Sequence, residues 1–191
     1  MKSASSFLVV VAIVGGLQTT RATTVIPPSF DQLVDQAEAI FQGSVTDVRS
    51  QWAGEGSQKQ IVSYVTFKVE DSLKGNTGAS YTLRMYGGTV GEDSMGISDA
   101  PTFKVGDRDI VFVENNGSQA IPLVGIMYGR FHVKRNQSGQ DIVARNEGEF
   151  VRNVASLGRE MEAATAANPA EPAMTTDAFK AAVKSKLQAA Q

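Results

Sequence analysis

The chain's clearest structural pattern lies between Gln60 and Leu73, where the sequence reads QIVSYVTFKVEDSL. Apolar residues at odd-numbered positions would share one face of an extended chain: Ile61, Val65, Phe67, Val69 and Leu73. The opposite face would carry polar residues: Thr66, Lys68 and Glu70. An alternation with a period of two residues is typical of a strand with one buried face. The stretch therefore predicts a half-buried β-strand.

Strand-forming sequence continues on both sides of this stretch. Residues 39–52 are rich in β-formers, with Gly43 indicating a bend or bulge, and residues 81–86 alternate again. Between Asp109 and Glu114, the residues at odd and at even positions are all apolar, which predicts a central strand covered on both faces. A hairpin turn is predicted at residues 115–118, and further strands at 120–126, 128–135 and 141–145.

These patterns predict a mainly β fold. Six or seven short strands with turns between them, and no regular alternation with helices, are typical of an antiparallel barrel or sandwich. We favour a small OB-like barrel over a sandwich, with a short N-terminal helix covering one end. The barrel domain is expected to occupy residues 23–148, followed by a helical tail at residues 149–191.

Helical patterns flank the strands. Ser29 and Gln32 have the spacing of a capping box, which predicts a short helix that ends near Glu38. In the tail, Phe150, Val154, Leu157 and Met161 recur at helical spacing, and the Ala/Pro-rich residues 163–173 predict a linker. Residues 175–190 predict an amphipathic helix, capped by Thr176 or Asp177 and apolar at Phe179, Val183 and Leu187. Docking of this helix on the domain or on a partner, and partial disorder, all remain open.

The N-terminus has the three parts of a secretory signal peptide. Lys2 supplies the positive start, residues 7–17 form an apolar run, and Thr20 and Ala22 are small residues suited to a cleavage site. A membrane span needs about 20 apolar residues, so an uncleaved anchor is the weaker alternative. We expect residues 1–22 to be removed and the chain to be secreted or periplasmic, with no stable membrane insertion after cleavage.

Composition argues against several functional classes. Without Lys2 and Arg21, the mature chain has 16 basic and 20 acidic residues, a net charge of −4. Nucleic-acid binding needs clustered basic residues, so no nucleic acid is expected as a partner. The chain has no cysteine, which excludes disulfides, a lipid-attachment cysteine, a thiol nucleophile and a cysteine metal site.

His132 is the only histidine, so a zinc site with two or three histidine ligands is excluded. We expect His132 to be a partly exposed strand residue that shares a face with Arg130 and Lys134. The sequence has no Gly-x-Ser-x-Gly motif, which disfavours a serine hydrolase. No catalytic residue, metal ligand or cofactor is assigned.

A long irregular segment follows the third predicted strand, over residues 87–105. Loops longer than about 12–15 residues are often functional, so residues 87–101 are the candidate contact region. The candidate binding residues are Trp52, Tyr86, Glu92, Asp93 and Asp99. The two aromatic residues suit anchors for a partner, with packing in the core as the alternative. The three acidic residues suit a weak cation site, with a solvated acidic loop as the alternative.

Five segments resemble a family of uncharacterised exported bacterial proteins: residues 39–45 (AIFQGSV), 66–75 (TFKVEDSLKG), 87–91 (GGTVG), 103–107 (FKVGD) and 125–131 (GIMYGRF). The resemblance covers roughly Phe30 to Arg145. In this family the module stands alone or accompanies matrixin-like zinc protease domains, and it is similar to the OB-like inhibitory domain of tissue inhibitors of metalloproteinases. Those inhibitors ligate the protease zinc through an N-terminal cysteine. This chain has no cysteine, so no inhibitory residue is carried over.

The expected function is that of an exported, non-catalytic module that binds a protein or a surface polymer of the cell envelope. One alternative is a periplasmic protein that binds a small molecule or a cation at the barrel mouth. The other alternative is a hydrolase that uses carboxylates alone, for which Asp93 and Asp99 show no indicative spacing.

Overall fold

The computed structural model describes residues 26–158 and 172–190. The helices and strands in these ranges are α1 Phe30–Gln36, β1 Ala39–Ala53, β2 Gln60–Lys74, β3 Ser80–Tyr86, β4 Gly88–Val90, β5 Asp93–Met95, β6 Arg108–Val113, β7 Arg130–Arg135, β8 Asp141–Arg145 and α2 Thr176–Ala189. Short 3-10 helices occur at Gly56–Gln58, Ile126–Gly129 and Val154–Ser156. The mainly β fold is confirmed. The predicted signal peptide and most of the predicted linker lie outside the described residues.

Six strands form one antiparallel sheet in the order β3-β2-β1-β6-β7-β8, and β4 and β5 form a separate hairpin. β1 and β2 contain 15 residues each and pair along almost their whole length. Their register shifts between Gln42 and Gly43, and a Cβ on Gly43 would lie 2.7 Å from the carbonyl oxygen of Lys68. The predicted bulge at Gly43 is therefore confirmed, and glycine is needed there because the β2 backbone comes so close.

Both faces of the sheet centre are covered. On one side, which we call the helix face, Ile110 and Phe112 of β6 join a core that includes residues of α1 and α2. On the other side, the loop face, Val111 and Val113 join a second core with residues of β1, β2 and β3. These four apolar side chains of β6 are all completely buried. The prediction of a central strand covered on both faces is confirmed.

α1 begins at the predicted capping box. The Ser29 hydroxyl accepts a hydrogen bond from the Gln32 backbone N–H at 3.2 Å, and the Ser29 N–H donates to Gln32 Oε1 at 2.8 Å. These two bonds satisfy backbone donors that a helix start would otherwise leave unpaired. The helix ends at Gln36, two residues before the predicted end.

α2 docks on the helix face. The ring of Phe179 is completely buried, with ring centroids 5.9 Å from Phe30 and 5.0 Å from Phe131. The predicted cap at Thr176 or Asp177 is wrong, because the Thr175 hydroxyl accepts from the Ala178 N–H. Of the possibilities left open for this helix, docking on the domain is the one observed. Within the described residues, no helix has the length and apolar character needed to cross a membrane.

The sheet does not close within the described residues, since its edge strands β3 and β8 do not pair with each other. The edges are covered in other ways. At β3, the Asn116 side chain accepts from the Arg84 N–H at 3.0 Å and donates to the Thr82 carbonyl at 2.9 Å. A carboxamide offers the same donor and acceptor as a peptide group, so Asn116 replaces a neighbouring strand here. At β8, residues 149–151 and 174–175 lie along the edge.

Two predicted elements are wrong. Residues 120–126 form an irregular connection with a single bridge from Leu123 to Val113. Leu123 and Val124 are completely buried, so the apolar character of this segment reflects burial of a loop and not strand pairing. The described part of the run from Phe150 to Met161 contains only one 3-10 turn, and Phe150 pairs instead with Ala144 at the β8 edge.

Candidate functional site

The predicted contact loop contains the β4–β5 hairpin, which folds over the loop face of β1 and β2. The Gly87 N–H donates to the Ile61 carbonyl at 2.8 Å, and the Ser63 hydroxyl donates to the Gly87 carbonyl at 2.6 Å. Gly88 has a φ of +133°, and a Cβ there would overlap the hydroxyls of Ser50 and Ser63. Glycine is therefore required for the hairpin to cross the sheet at this point.

An apolar cleft of about 150 Å³ opens between the sheet and the end of the loop. Its walls include Val65 and Met85 from the strands, and Ile97 and Phe103 from the loop. Pockets for small molecules usually measure roughly 300–1,000 Å³. At about 30 Å³ per water molecule, this cleft has room for roughly five waters or for a single side chain.

Three large apolar side chains near the cleft are exposed, and we call them the apolar rim: Trp52 at 37%, Met95 at 40% and Ile97 at 37%. Trp52 pairs in register with Ile61, whose N–H lies 3.2 Å from the Met95 sulfur. The Lys59 ammonium lies 4.6 Å from the Trp52 ring centroid, a cation–π contact that orients the indole ring. Of the two possibilities for Trp52, partial exposure is the one observed.

Tyr86 lines the cleft at the end of β3. Hydrogen bonds with Arg84 and Gln60 lower the pKa of the Tyr86 phenol. The register places Tyr86 opposite Val62, next to the Trp52–Ile61 pair, so both predicted aromatic residues lie at the same end of the sheet. Sequence reasoning missed Met95 and Ile97, because single apolar residues in a glycine-rich loop show no periodicity.

The three predicted acidic residues are all exposed. Glu92 and Asp93 lie at the tip of the hairpin, and Asp99 lies in a turn with a φ of 63°. The described residues contain no group of three or more His, Asp or Glu side chains placed to hold a metal ion. The structure thus places these three side chains in solvent, with Asp99 outside the hairpin that carries Glu92 and Asp93.

A buried ion-pair network ties the end of the loop to the sheet. Arg130 is 2% exposed and contacts Asp107 at 2.7 Å and Asp109 at 2.9 Å. Its guanidinium also donates to the Thr102 carbonyl at 2.7 Å and lies 3.9 Å from the Phe103 ring centroid. Because Thr102 and Phe103 end the loop, Arg130 fixes the position of the cleft's far wall relative to β6 and β7.

Asp109 is completely buried and also pairs with His132 Nδ1 at 2.8 Å. The side chain of His132 is 17% exposed and lies on the same face as Arg130, which confirms the expected partly exposed strand histidine. At Asp107, burial raises the pKa, but hydrogen bonds from the Lys104 N–H and Arg130 outweigh it and leave the pKa below its ordinary value. No pattern in the sequence predicts this network, because its members meet only through strand register.

A second polar network crosses the helix face. Glu70 accepts from Gln42 Nε2 at 2.7 Å and from the Ser44 hydroxyl. Arg108 links Glu70, at 3.2 Å, to Asp141, at 3.0 Å. Burial raises the pKa of both carboxylates, but their hydrogen bonds outweigh it, so both pKa values are lowered. A carboxyl that acts as a general acid needs a raised pKa, so this pair suits a structural role better than the hydrolase alternative.

Comparison with protein-family models, curated proteins and solved structures gave no match for this chain.

Proposed function

We propose that the chain is an exported, non-catalytic binding module that contacts a partner protein through the cleft and the apolar rim. The observation that carries the proposal is the exposure of Ile97 at an apolar cleft with room for one side chain, together with the exposure of Met95 and Trp52, which both lie beside Ile61. Single exposed apolar residues are normal on protein surfaces, whereas an apolar group beside a concavity marks an interaction site.

The hairpin that carries part of this surface is held in place before any partner arrives. A backbone hydrogen bond joins Gly87 to Ile61, and Arg130 holds the Thr102–Phe103 end of the loop. A binding surface fixed in advance loses less conformational entropy on association, which favours affinity. The arrangement therefore suits insertion of one apolar side chain of the partner into the cleft, with the apolar rim packing around it.

The size of the cleft disfavours the small-molecule alternative at this place. About 150 Å³ is half or less of the volume typical of pockets that enclose a whole ligand. A partner protein needs only one anchoring side chain in such a pocket, because the surrounding contacts come from its own surface.

Export and the OB-like relation belong to the same proposal. Export is supported by the charged, apolar and small-residue parts of residues 1–22. The OB-like relation is supported by the resemblance and by an antiparallel sheet in which β1 lies between β2 and β6. Edman sequencing of protein recovered from the envelope or medium tests export, and we expect the mature chain to begin at Thr23.

Pull-down from the native envelope fraction, with quantification of each recovered protein, tests the binding surface. The variants Trp52→Ala and Ile97→Asp alter the apolar rim. Phe150→Asp is the matched control, since Phe150 is another exposed apolar residue, at 44%, located at the β8 edge. Circular dichroism confirms that each variant is folded.

A partner held by the wild type and by Phe150→Asp, but lost from both rim variants, supports the proposal. With that partner purified, we expect each rim variant to weaken binding at least about tenfold, which corresponds to about 1.4 kcal/mol. Equal binding by all four proteins contradicts it.

A further inference from the structure

A second, larger pocket lies on the helix face at the N-terminal end of α2. It measures about 470 Å³, within the range typical of ligand pockets. Gln42 of β1 and Asp141 of β8 contribute to its sheet side, and Thr176 and Lys180 of α2 contribute to its helix side. It is separate from the cleft, which lies on the opposite face of the sheet and shares none of these residues.

The charges around the second pocket balance. Arg135 and Lys180 are basic, whereas Asp141 and Asp177 are acidic. Arg135 contacts Asp141 at 3.1 Å, and Lys180 contacts Asp177 at 3.5 Å. The two carboxylates would repel an anionic ligand, and the two basic groups would repel a cationic ligand. The lining of the pocket therefore favours a neutral polar ligand.

Two side chains that line the pocket hold buried polar atoms without a hydrogen-bond partner in the described part of the chain: Gln42 Oε1 and Thr176 Oγ1. Gln42 and Thr176 are 5% and 4% exposed. The Glu70 carboxylate accepts a hydrogen bond from Gln42 Nε2 at 2.7 Å and so orients the Gln42 amide. The unpaired atom of that amide is therefore its carbonyl oxygen Oε1, which can only accept a hydrogen bond. A ligand that supplies a hydroxyl to each would give these two atoms the hydrogen-bond partners that they lack.

We propose that this pocket binds a sugar unit of a neutral polysaccharide. A sugar hydroxyl both donates and accepts, so one ring can donate to Gln42 Oε1 and accept from Thr176, Arg135 and Lys180. Gln42 Oε1 and Thr176 Oγ1 are covered in the structure, so binding includes a rotation of the Thr176 hydroxyl toward the ligand and a shift of the Gln42 amide that keeps its hydrogen bond to Glu70. The pocket's described lining has no aromatic ring for a sugar to stack on, so we expect a dissociation constant in the millimolar range, around −4 kcal/mol.

The test is an NMR titration of the purified full chain, expressed with its native N-terminus, with maltotriose, cellotriose and the trimer of N-acetylglucosamine. Inorganic phosphate serves as the anionic counter-probe. At about 10 mM, well above a millimolar dissociation constant, we expect at least one trisaccharide to shift the backbone amides of Gln42, Gln140 and Thr176. The proposal is overturned if none of the sugars shifts them, or if phosphate shifts them more than any sugar.

Thr176→Val separates a ligand contact from a structural one. It removes the unpaired hydroxyl while keeping the shape, so we expect unchanged or higher stability together with sugar binding weakened at least tenfold. Thr77→Val is the matched control, because Thr77 Oγ1 is also buried and unpaired but lies in the β2–β3 turn, outside the pocket lining. Equal sugar binding by Thr176→Val and the wild type, or an equal loss in Thr77→Val, contradicts the proposal. Because the two sites share no residue, failure here leaves the proposed protein-binding surface unaffected.

Discussion

Replacing Arg130 by methionine is expected to lower the free energy of unfolding by about 3–5 kcal/mol, the usual cost of removing one partner of a buried ion pair. The structure accounts for this size. Asp109 is completely buried and would keep only its contact with His132. The hydrogen bond to the Thr102 carbonyl and the contact with the Phe103 ring would also disappear. Small domains have about 5–15 kcal/mol of stability, so the variant should fold but be only marginally stable.

Urea denaturation, followed by far-UV circular dichroism and by the fluorescence of Trp52, the only tryptophan, measures the change. Arg49→Met is the matched control, because the Arg49 side chain is 78% exposed in its ion pair with Asp47, and we expect a change below about 1 kcal/mol. Adding Asp109→Asn to Arg130→Met removes the unpaired buried charge and should restore at least about 1 kcal/mol. A loss below about 1 kcal/mol in Arg130→Met, or no restoration in the double variant, would refute the reasoning.

Three other outcomes are expected. Gly88→Ala should displace the β4–β5 hairpin and abolish partner capture, because a Cβ at Gly88 would overlap the hydroxyls of Ser50 and Ser63; capture at the wild-type level by this variant contradicts the close crossing. Phe179→Ala should cost about 3–5 kcal/mol in thermal or urea unfolding, since the ring is completely buried between the helices and the sheet; a loss under about 1 kcal/mol would mean that α2 does not dock. Glu70 and Asp141 have lowered pKa values in the fold, so their stabilisation is complete above their ordinary pKa values near 4 and is lost as the pH falls through the lowered ones. Unfolding free energies measured from pH 7 to pH 2 should therefore drop below about pH 4, and Asp141→Asn should show a smaller drop.

The parts of the fold that sequence could predict are those with a local cause. β2 shows its half-burial in a two-residue period, and β6 shows its double burial in a continuous apolar run, because each pattern depends on one strand alone. The capping box at Ser29 and Gln32 involves neighbouring residues for the same reason. The strand predicted at residues 120–126 is wrong, since burial of a loop and burial of a strand give the same apolar composition.

The parts that sequence could not predict depend on which strands become neighbours. Arg130, Asp109 and His132 meet because β6 and β7 pair in one register, and a shift of one residue would point them to opposite faces. Of the candidate site, Trp52 and Tyr86 were predicted from residue type and position at a strand end. Met95 and Ile97 become recognisable only when the hairpin is folded onto the sheet.

The carboxamide of Asn116 also bears on how the chain behaves in a crowded compartment. An uncovered edge strand is a template on which a second copy can add its own strand, and growth of this kind leads to aggregates. By occupying the Thr82 carbonyl and the Arg84 N–H, one side chain removes two of the hydrogen-bonding positions that such growth needs. Self-association through β3 is thus opposed by two local hydrogen bonds and not by closure of the sheet, so we expect a substitution at Asn116 to make the chain more prone to polymerise.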